Sequence, residues 1–496
     1  MKKRILFIIW SYSHGGGSEA LLTMIVNHLN PQKYEIGILE YYYAGIKEEP
    51  LNENIHYSGA VTSETDPEAR KKYYYLLNDP DRMISKYIPS DYDLYISFNY
   101  QIPSFLLPKG KRCAAWIHSD IYDLKRPEAW KYLRMQNEAF NKAQKIVSIS
   151  SLTTESLKEL CPMHEDKLVE IYNGVDVDEV RRKSEEWTDI VLNHPNILFV
   201  GRLEERKDPV RLVNVLEILH KTGKQVHLYY LGQGELSKEI ELLSMQRGMS
   251  GYIHILGYHQ NPFPIMKQCD VNCLLSHSEG FSMSLLEGVS LGKPFVSSYI
   301  GGAETLTDGG SCGKVIETDE QAAEAIASWL EQDKAEVKKK CEISIERFKL
   351  PNYIAQIETF FDGMLEMEEE EETGSTYEFN SRLELRDRPY YYHFPVEYIQ
   401  KNQKIILYGA GKVGTDYYHF LKESHYCHLA GWVDKDYRKL KKMGKEVSSL
   451  EALNEVQYDL VLIAHANKEI AGMIMDNLQK LDVPKEKIMW FPVDYI

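Results

Sequence analysis

No stretch of this 496-residue chain approaches the roughly 20 consecutive apolar residues that a membrane-crossing helix needs, so any membrane contact is peripheral. The start, Met1-Lys2-Lys3-Arg4 followed by the apolar Ile5–Trp10, imitates a secretion signal. The apolar run is only six residues long, and no small-residue cleavage pattern follows it in Ser11-Tyr12-Ser13-His14-Gly15. A buried first strand accounts for it better. Cysteine is sparse: seven residues, an odd number, scattered at Cys113, Cys161, Cys269, Cys273, Cys312, Cys341 and Cys427. Only Cys269 and Cys273 lie close together, at the wrong spacing for a zinc knuckle. This excludes a disulfide scaffold and reads as reduced, structural cysteine in a reducing compartment. An excess of cations is also absent: 58 Lys and Arg stand against 74 Asp and Glu, a net charge of -16 that argues against nucleic acid as a partner.

What is present is an alternation of buried-strand runs with amphipathic segments. The length predicts three domains, and 43% hydrophobic with 27% charged residues fits a soluble globular protein. Ile5–Trp10, Glu35–Glu40, Leu94–Phe98, Ala114–His118, Ile146–Ser150 and Leu168–Tyr172 read as strands, and Ser18–Leu29 and Lys125–Ala143 as helices. This predicts a parallel sheet covered on both faces, in a first domain over residues 1–188. A second Rossmann-like set over 189–350 opens at Ile197–Val200 and continues through helix Val210–Leu219 and strands Val226–Leu231, Ile253–Leu256, Val271–Leu275 and Phe295–Ser298. Pro351–Leu365 is an apolar-striped helix, and the acidic run that follows makes 366–400 a linker and connector. A small Rossmann-like unit over 401–496 begins with strand Lys404–Tyr408, followed by strands Leu429–Val433, Leu460–Ala464 and Ile488–Phe491.

The chemistry concentrates in Ser278-Glu279-Gly280-Phe281-Ser282-Met283-Ser284-Leu285-Leu286-Glu287-Gly288, just after the strand Val271–Leu275. Glu279 falls in a glycine-containing loop and Glu287 in the following helix, so both carboxylates can face one ligand at the carboxyl edge of the sheet. The amides of Gly280, Phe281, Ser282 and Met283 sit at a helix N-terminus, which suits a phosphate. One site can therefore take a diphosphate on amides and sugar hydroxyls on carboxylates. Upstream, Gly201-Arg202-Leu203-Glu204-Glu205-Arg206-Lys207-Asp208 follows a strand and carries cations, with Arg206 read as surface. His14-Gly15-Gly16-Gly17-Ser18-Glu19 reads as a phosphate-approaching loop or a plain turn with Ser18 as helix cap. His118, beside Ser119 and Asp120, ends another strand at the same kind of edge.

Together these segments resemble the retaining glycosyltransferases of the GT-B fold, in particular the GT4 type. The Glu279/Glu287 pair is similar to that family's E-x7-E signature, Gly201–Asp208 to its G-R-L-x-x-x-K-G (with Asp208 in place of Gly), and His14–Glu19 to its G-G-x-E loop. His118–Asp120, the turn at Gly232 and Gly234, the segment Ile255-Leu256-Gly257-Tyr258, the loop Gly301–Glu304 and Asn173-Gly174-Val175-Asp176 each have a counterpart too. The last is expected to be architectural, with Asn and Gly tolerating left-handed backbone. The resemblance implies two Rossmann-like domains facing across a cleft, with the helix 351–365 crossing back onto the first. It implies transfer of a sugar, with retention and without a metal or cofactor, from a nucleoside-diphosphate sugar, UDP-linked by family habit, to a saccharide, lipid-linked or polymer acceptor. Such a protein is expected in the cytoplasm or at the inner face of the membrane. His118, Arg202, Lys207 and Glu279 would then be catalytic, and Gly16, Gly17, Gly257, the residues 280–283 and Glu287 would bind the donor. No Ser-His-Asp or Cys-His nucleophile is evident. A nucleotide-sugar epimerase on the same fold and a non-catalytic partner subunit are the alternative readings.

In the C-terminal unit, Gly409-Ala410-Gly411-Lys412-Val413-Gly414 lies between strand and helix, and Asp434 follows Gly414 by twenty residues. That context fits a second nucleotide site on Gly409, Gly411, Gly414 and Asp434, or a scaffold. The unit resembles the small Rossmann-type module of sugar O-acyltransferases.

Overall fold

The computed structural model describes residues 2–46, 50–125, 129–369, 392, 394–396, 398–442 and 445–491. The linker expected over 366–400 therefore lies largely outside the described residues. The chain divides into two compact units, residues 1–64 with 84–372, and residues 65–83 with 373–496.

The first unit holds two fully parallel sheets. One is built from β1 (Lys3–Ile9), β2 (Tyr34–Tyr43), β3 (Ile55–Ser63), β4 (Leu94–Phe98), β5 (Cys113–Ile117), β6 (Lys145–Ser148) and β7 (Leu168–Glu170), in the order β3-β2-β1-β4-β5-β6-β7. The other holds β8 (Asn196–Val200), β9 (His227–Leu231), β10 (Ile253–Gly257), β11 (Val271–Leu274), β12 (Phe295–Ser298) and β13 (Gly313–Ile316), in the order β10-β9-β8-β11-β12-β13. Both are doubly wound α/β sheets, as the GT-B fold requires. The central strands are buried along their length, Ile5 to Ile9 and Leu94 to Phe98 for example, which is why they read as unbroken apolar runs. The signal-like start is thus a central strand.

Two further expectations are corrected by local chemistry. The helix expected from Lys125 begins at Trp130, after a short 3-10 turn at Tyr122–Lys125. Asn173 and Gly174 do not adopt left-handed backbone. Gly174 is required instead by close approach, since a Cβ there would lie 2.5 Å from the Tyr353 Cβ.

Tyr353 belongs to helix Leu350–Glu366, whose buried stripe is Tyr353, Ile354, Ile357, Phe361 and Met364. Phe361 meets Phe7 of β1 and Tyr34 of β2 edge-on, with ring centroids 6.2 and 5.9 Å apart. The Tyr34 hydroxyl donates to Asp362 at 2.6 Å. The helix therefore covers the first sheet, although it follows the second in sequence. Its buried side chains each contribute on the order of 2 kcal/mol through area removed from water.

The second unit contains β14 (Lys404–Tyr408), β15 (His428–Val433), β16 (Leu460–Ile463) and β17 (Ile488–Met489), all parallel in the order β15-β14-β16-β17. It has its own core around Ile405, Leu407, Val413, Tyr417 and Leu462 on one face.

Candidate active site

The loops leaving β8 and β11 meet at an ion pair. Lys207 Nζ lies 2.5 Å from Glu279 Oε1, with the side chains only 15% and 10% exposed. The lysine stem runs over Gly201, where a Cβ would stand 3.1 Å from Lys207 Cδ. The Ser276 hydroxyl donates to the same glutamate oxygen at 3.3 Å. Arg206, expected to be plain surface, also reaches this carboxylate: its Nη1 is 3.7 Å from Glu279 Oε2 and donates to the Ser278 carbonyl at 3.2 Å. The cause is the 3-10 turn Glu205–Lys207, which turns both cations toward one acid. Sequence spacing could reveal this only if the turn were known. Asp208 closes it at φ 39° and ψ 53°, left-handed backbone that explains why the resembled family carries glycine there. Arg202 stays apart, 68% exposed and paired with Glu204 at 3.1 Å.

Glu279 is pinned from behind, because the Gly301 N–H donates to its carbonyl at 3.0 Å. The next residue, Gly280, lies directly on the strand end of the first sheet. A Cβ there would be 1.9 Å from the His118 carbonyl oxygen and 2.8 Å from Ser119 Cα. The Ser278 hydroxyl donates to Asp120 Oδ2 at 2.5 Å across the same seam. The loop carrying Glu279 and the loop carrying His118 are therefore in contact.

The His118 ring centroid sits 4.0 Å from that of Phe98 and stacks near Trp116. Burial pushes its pKa down to about 3, so the imidazole is neutral at ordinary pH. Its Nε2 is buried and has no hydrogen-bond partner among the described residues. A buried polar atom of that kind calls for an explanation, and a ligand hydroxyl is one.

Ser282 caps helix Met283–Ser290, its hydroxyl accepting from the Leu285 N–H at 3.3 Å. The Phe281 ring is buried and packs near Phe348, with ring centroids 5.9 Å apart. The Met283 sulfur accepts from the Asn173 amide at 3.9 Å. Glu287, in the same helix, is half-buried, and burial raises its carboxyl to about 7, with Lys183 acting the opposite way through space. Among the described residues its carboxylate has no hydrogen-bond or ion-pair partner.

Gly16 precedes helix Gly17–His28, and a Cβ on Gly17 would meet nothing within 4 Å. Ser18 does not cap this helix, since it lies inside the first turn and its hydroxyl donates to Glu19 at 3.0 Å. The loop is held instead by Glu40, which is fully buried and accepts from both the Ser13 N–H and hydroxyl at 2.9 Å. The Tyr57 hydroxyl also donates to it. Nothing in the sequence pattern of β2 marks Glu40 as this anchor. Gly257 ends β10 at φ 77°, two strands away from β8 and its Lys207 loop. Among the described residues no group of three or more His, Cys, Asp or Glu is placed to hold a metal ion.

In the second unit the glycine loop and Asp434 come together. The Ala410 N–H donates to Asp434 Oδ2 at 2.7 Å, and the Trp432 indole N–H donates to the Gly409 carbonyl at 2.9 Å. Gly414 is fixed by packing, its absent Cβ being 1.9 Å from the Gly409 oxygen, while the space over Gly411 is open.

Residues 180–346 match the family described as Glycosyl transferases group 1, and residues 15–179 match Glycosyltransferase Family 4. Residues 15–346 belong to the GT4-type glycosyltransferases. The Lys207–Glu279 pair thus lies within the group 1 part and His118 within the Family 4 part. Residues 401–489 match the family C2185-like, N-terminal.

A relative of this glycosyltransferase region is the N-acetylgalactosamine-N,N'-diacetylbacillosaminyl-diphospho-undecaprenol 4-alpha-N-acetylgalactosaminyltransferase of Campylobacter jejuni, 29% identical over 39% of this chain and 53% of its own. The poly(glycerol-phosphate) alpha-glucosyltransferase of Bacillus subtilis is also 29% identical, over 37% of this chain and 29% of its own. The matches thus span about half or less of these relatives' length. Among solved structures, Anabaena Alr3699/HepE in complex with UDP shares the fold at a TM-score of 0.54 and 18% identity, covering 73% of this chain and 100% of that one.

Proposed function

We propose that this chain is a retaining glycosyltransferase that moves a sugar from a UDP-sugar to an acceptor hydroxyl in the synthesis of a cell-surface polysaccharide or glycoconjugate. The observation that carries this reading is the buried Lys207–Glu279 pair held against the His118 loop through Gly280. It puts a cation and a carboxylate beside the backbone of the residue that carries the unpartnered neutral imidazole. Lys207, with Arg202, meets the diphosphate, where charge develops as the sugar–phosphate bond breaks. Glu279 and His118 Nε2 hold the donor sugar. Glu287, whose carboxyl is raised by burial and has no protein partner among the described residues, accepts from the ribose hydroxyls. The amides of residues 280–283 and the loops at Gly16, Gly17 and Gly257 complete the donor site.

In the step itself the bond between the anomeric carbon and the phosphate oxygen breaks, with its electrons leaving on the diphosphate. The acceptor oxygen bonds to the anomeric carbon from the same face, and its proton passes to the departing phosphate. The protein positions and stabilises charge. The choice of UDP is supported by the nucleotide named in the HepE structure, and a lipid-linked or polymer acceptor by the names of the Campylobacter and Bacillus relatives. In residues 401–489, the open space over Gly411 supports a second nucleotide site.

A thermal-shift screen of UDP, GDP and their sugars tests the donor assignment. Stabilisation follows RT ln(1 + [L]/Kd), about 2.7 kcal/mol at a hundredfold excess over Kd, so UDP and one UDP-sugar should stand out. Absence of stabilisation by every nucleotide would sink the proposal. Epimer release without an acceptor would point to the epimerase reading.

A further inference from the structure

At the opposite end of the second sheet lies a cavity of about 350 Å³. It is lined where β8, β11 and β12 begin, by His194, Asp270, Lys293 and Pro294 among others, and by Trp329 and Lys338 from the covering helices. The proposed transfer site uses the carboxyl ends of these strands, so this cavity is no part of it. Its floor is apolar and buried: Cys269, Pro294, Trp329 and Val337. Its rim is cationic. Asp270 is the only carboxylate in the lining, and it is already satisfied. It accepts from the Asn196 N–H at 2.9 Å, and pairs with His194 at 2.7 Å and Lys334 at 2.6 Å. Lys293 and Lys338 have no carboxylate partner among the described residues, in a chain of net charge -16. The Trp329 indole N–H, a donor on a lining residue, is buried without an acceptor.

We propose that this cavity is a second ligand site, for a small organic anion: a carboxylate or phosphate carried on an apolar body. The volume is in the range of small-molecule pockets, and an apolar floor with a few polar groups is how such pockets bind. Lys293 and Lys338 supply charge, the Trp329 N–H supplies a donor, and the floor takes the apolar body. Helix Met283–Ser290 links the two ends of the domain: Leu291 and Gly292, just beyond it, line the cavity, while the helix itself carries Glu287.

The test is a calorimetric titration of the full chain with phenyl phosphate, with phenol as the uncharged control, in the presence of saturating UDP. One phenyl phosphate should bind per chain with UDP bound, and phenol should not. The Lys293→Glu, Lys338→Glu double variant should weaken binding at least about tenfold, since each charge-assisted contact is worth that much or more. Trp329→Phe, which keeps most of the apolar surface, should weaken it by a smaller factor. Unchanged affinity in the lysine variant, no binding at millimolar ligand, or complete competition by UDP each overturns the proposal. If UDP itself does not bind, the titration without it still reads the lysine variant, so failure of the donor assignment and failure of this site are distinguishable.

Discussion

Lys207 Nζ and Glu279 Oε1, 72 residues apart in the chain, stand 2.5 Å from each other, and the pair is the junction between the β8 and β11 loops. A charge so placed is already oriented before any donor arrives. Lys207→Ala should lower turnover by about 10²-fold or more, the usual effect of losing one preorganised charge contact in the transition state. It also leaves Glu279 with Arg206 at 3.7 Å as its remaining cation, so a stability loss of about 1–3 kcal/mol is expected. Steady-state kinetics and thermal unfolding of the same preparation separate the two. Unchanged turnover in a folded variant removes Lys207 from the chemistry.

Glu287 gives a test in which binding and chemistry part company. Contacts to a ribose are made in the ground and transition states alike, so Glu287→Gln should raise the donor KM more than it lowers kcat. A fall in kcat with KM untouched contradicts the ribose role.

The same carboxyl makes a pH prediction. Its folded pKa of about 7 lies above the ordinary 4.5, so between these values the folded protein holds a proton that the unfolded chain has released. Its contribution to stability is full below 4.5 and is lost as pH rises through about 7. Ribose hydroxyls donate to the ionised form, so nucleotide-sugar affinity should increase as pH rises through about 7. Both slopes should flatten in Glu287→Gln. Identical slopes in the two proteins contradict an unpartnered, half-buried carboxyl.

His118 acts in the other direction. With a folded pKa of about 3 against an ordinary 6.5, the unfolded state takes up a proton that the folded ring refuses, and stability falls as pH drops from 6.5 toward 3. The melting temperature of His118→Gln should fall less between pH 7 and 5 than that of the native chain. Equal falls would mean that the ring is not enclosed.

Much of the fold is legible in the sequence. Buried central strands such as Leu94–Phe98 announce themselves as apolar runs because both faces are covered. β3 carries a weak sequence signal because it is an edge strand, pairing only with β2, and most of Ile55–Ser63 is exposed or half-exposed. Around the proposed site, the sequence pattern puts Glu279, Lys207 and His118 after strand ends and Glu287 in the following helix. Their pairing is not in that pattern: that Lys207 rather than Arg202 meets Glu279, and that Arg206 joins it, depends on a single 3-10 turn. Glu40 and the close approach of Gly174 to Tyr353 are likewise tertiary facts with no local period to betray them.

The glycine loop of the C-terminal unit separates scaffold from site residue by residue. Gly414→Val should destabilise this unit, because a side chain there collides with the Gly409 carbonyl. Gly411→Val should fold and lose nucleotide binding, because the space it fills is the open one. Titration of the native chain and of Gly411→Val with NAD and UDP-sugars reads the difference. Equal binding by both proteins would leave the loop a structural turn.

The most direct measurement is the anomeric configuration of the product, read by NMR, when the native chain and Lys207→Ala are given the nucleotide sugar that the thermal screen selects and an acceptor. The account predicts a glycoside that keeps the donor's anomeric configuration, formed at least about 10²-fold more slowly by the variant. An inverted product, or nucleotide binding with no sugar transferred by either protein to any acceptor, would contradict it.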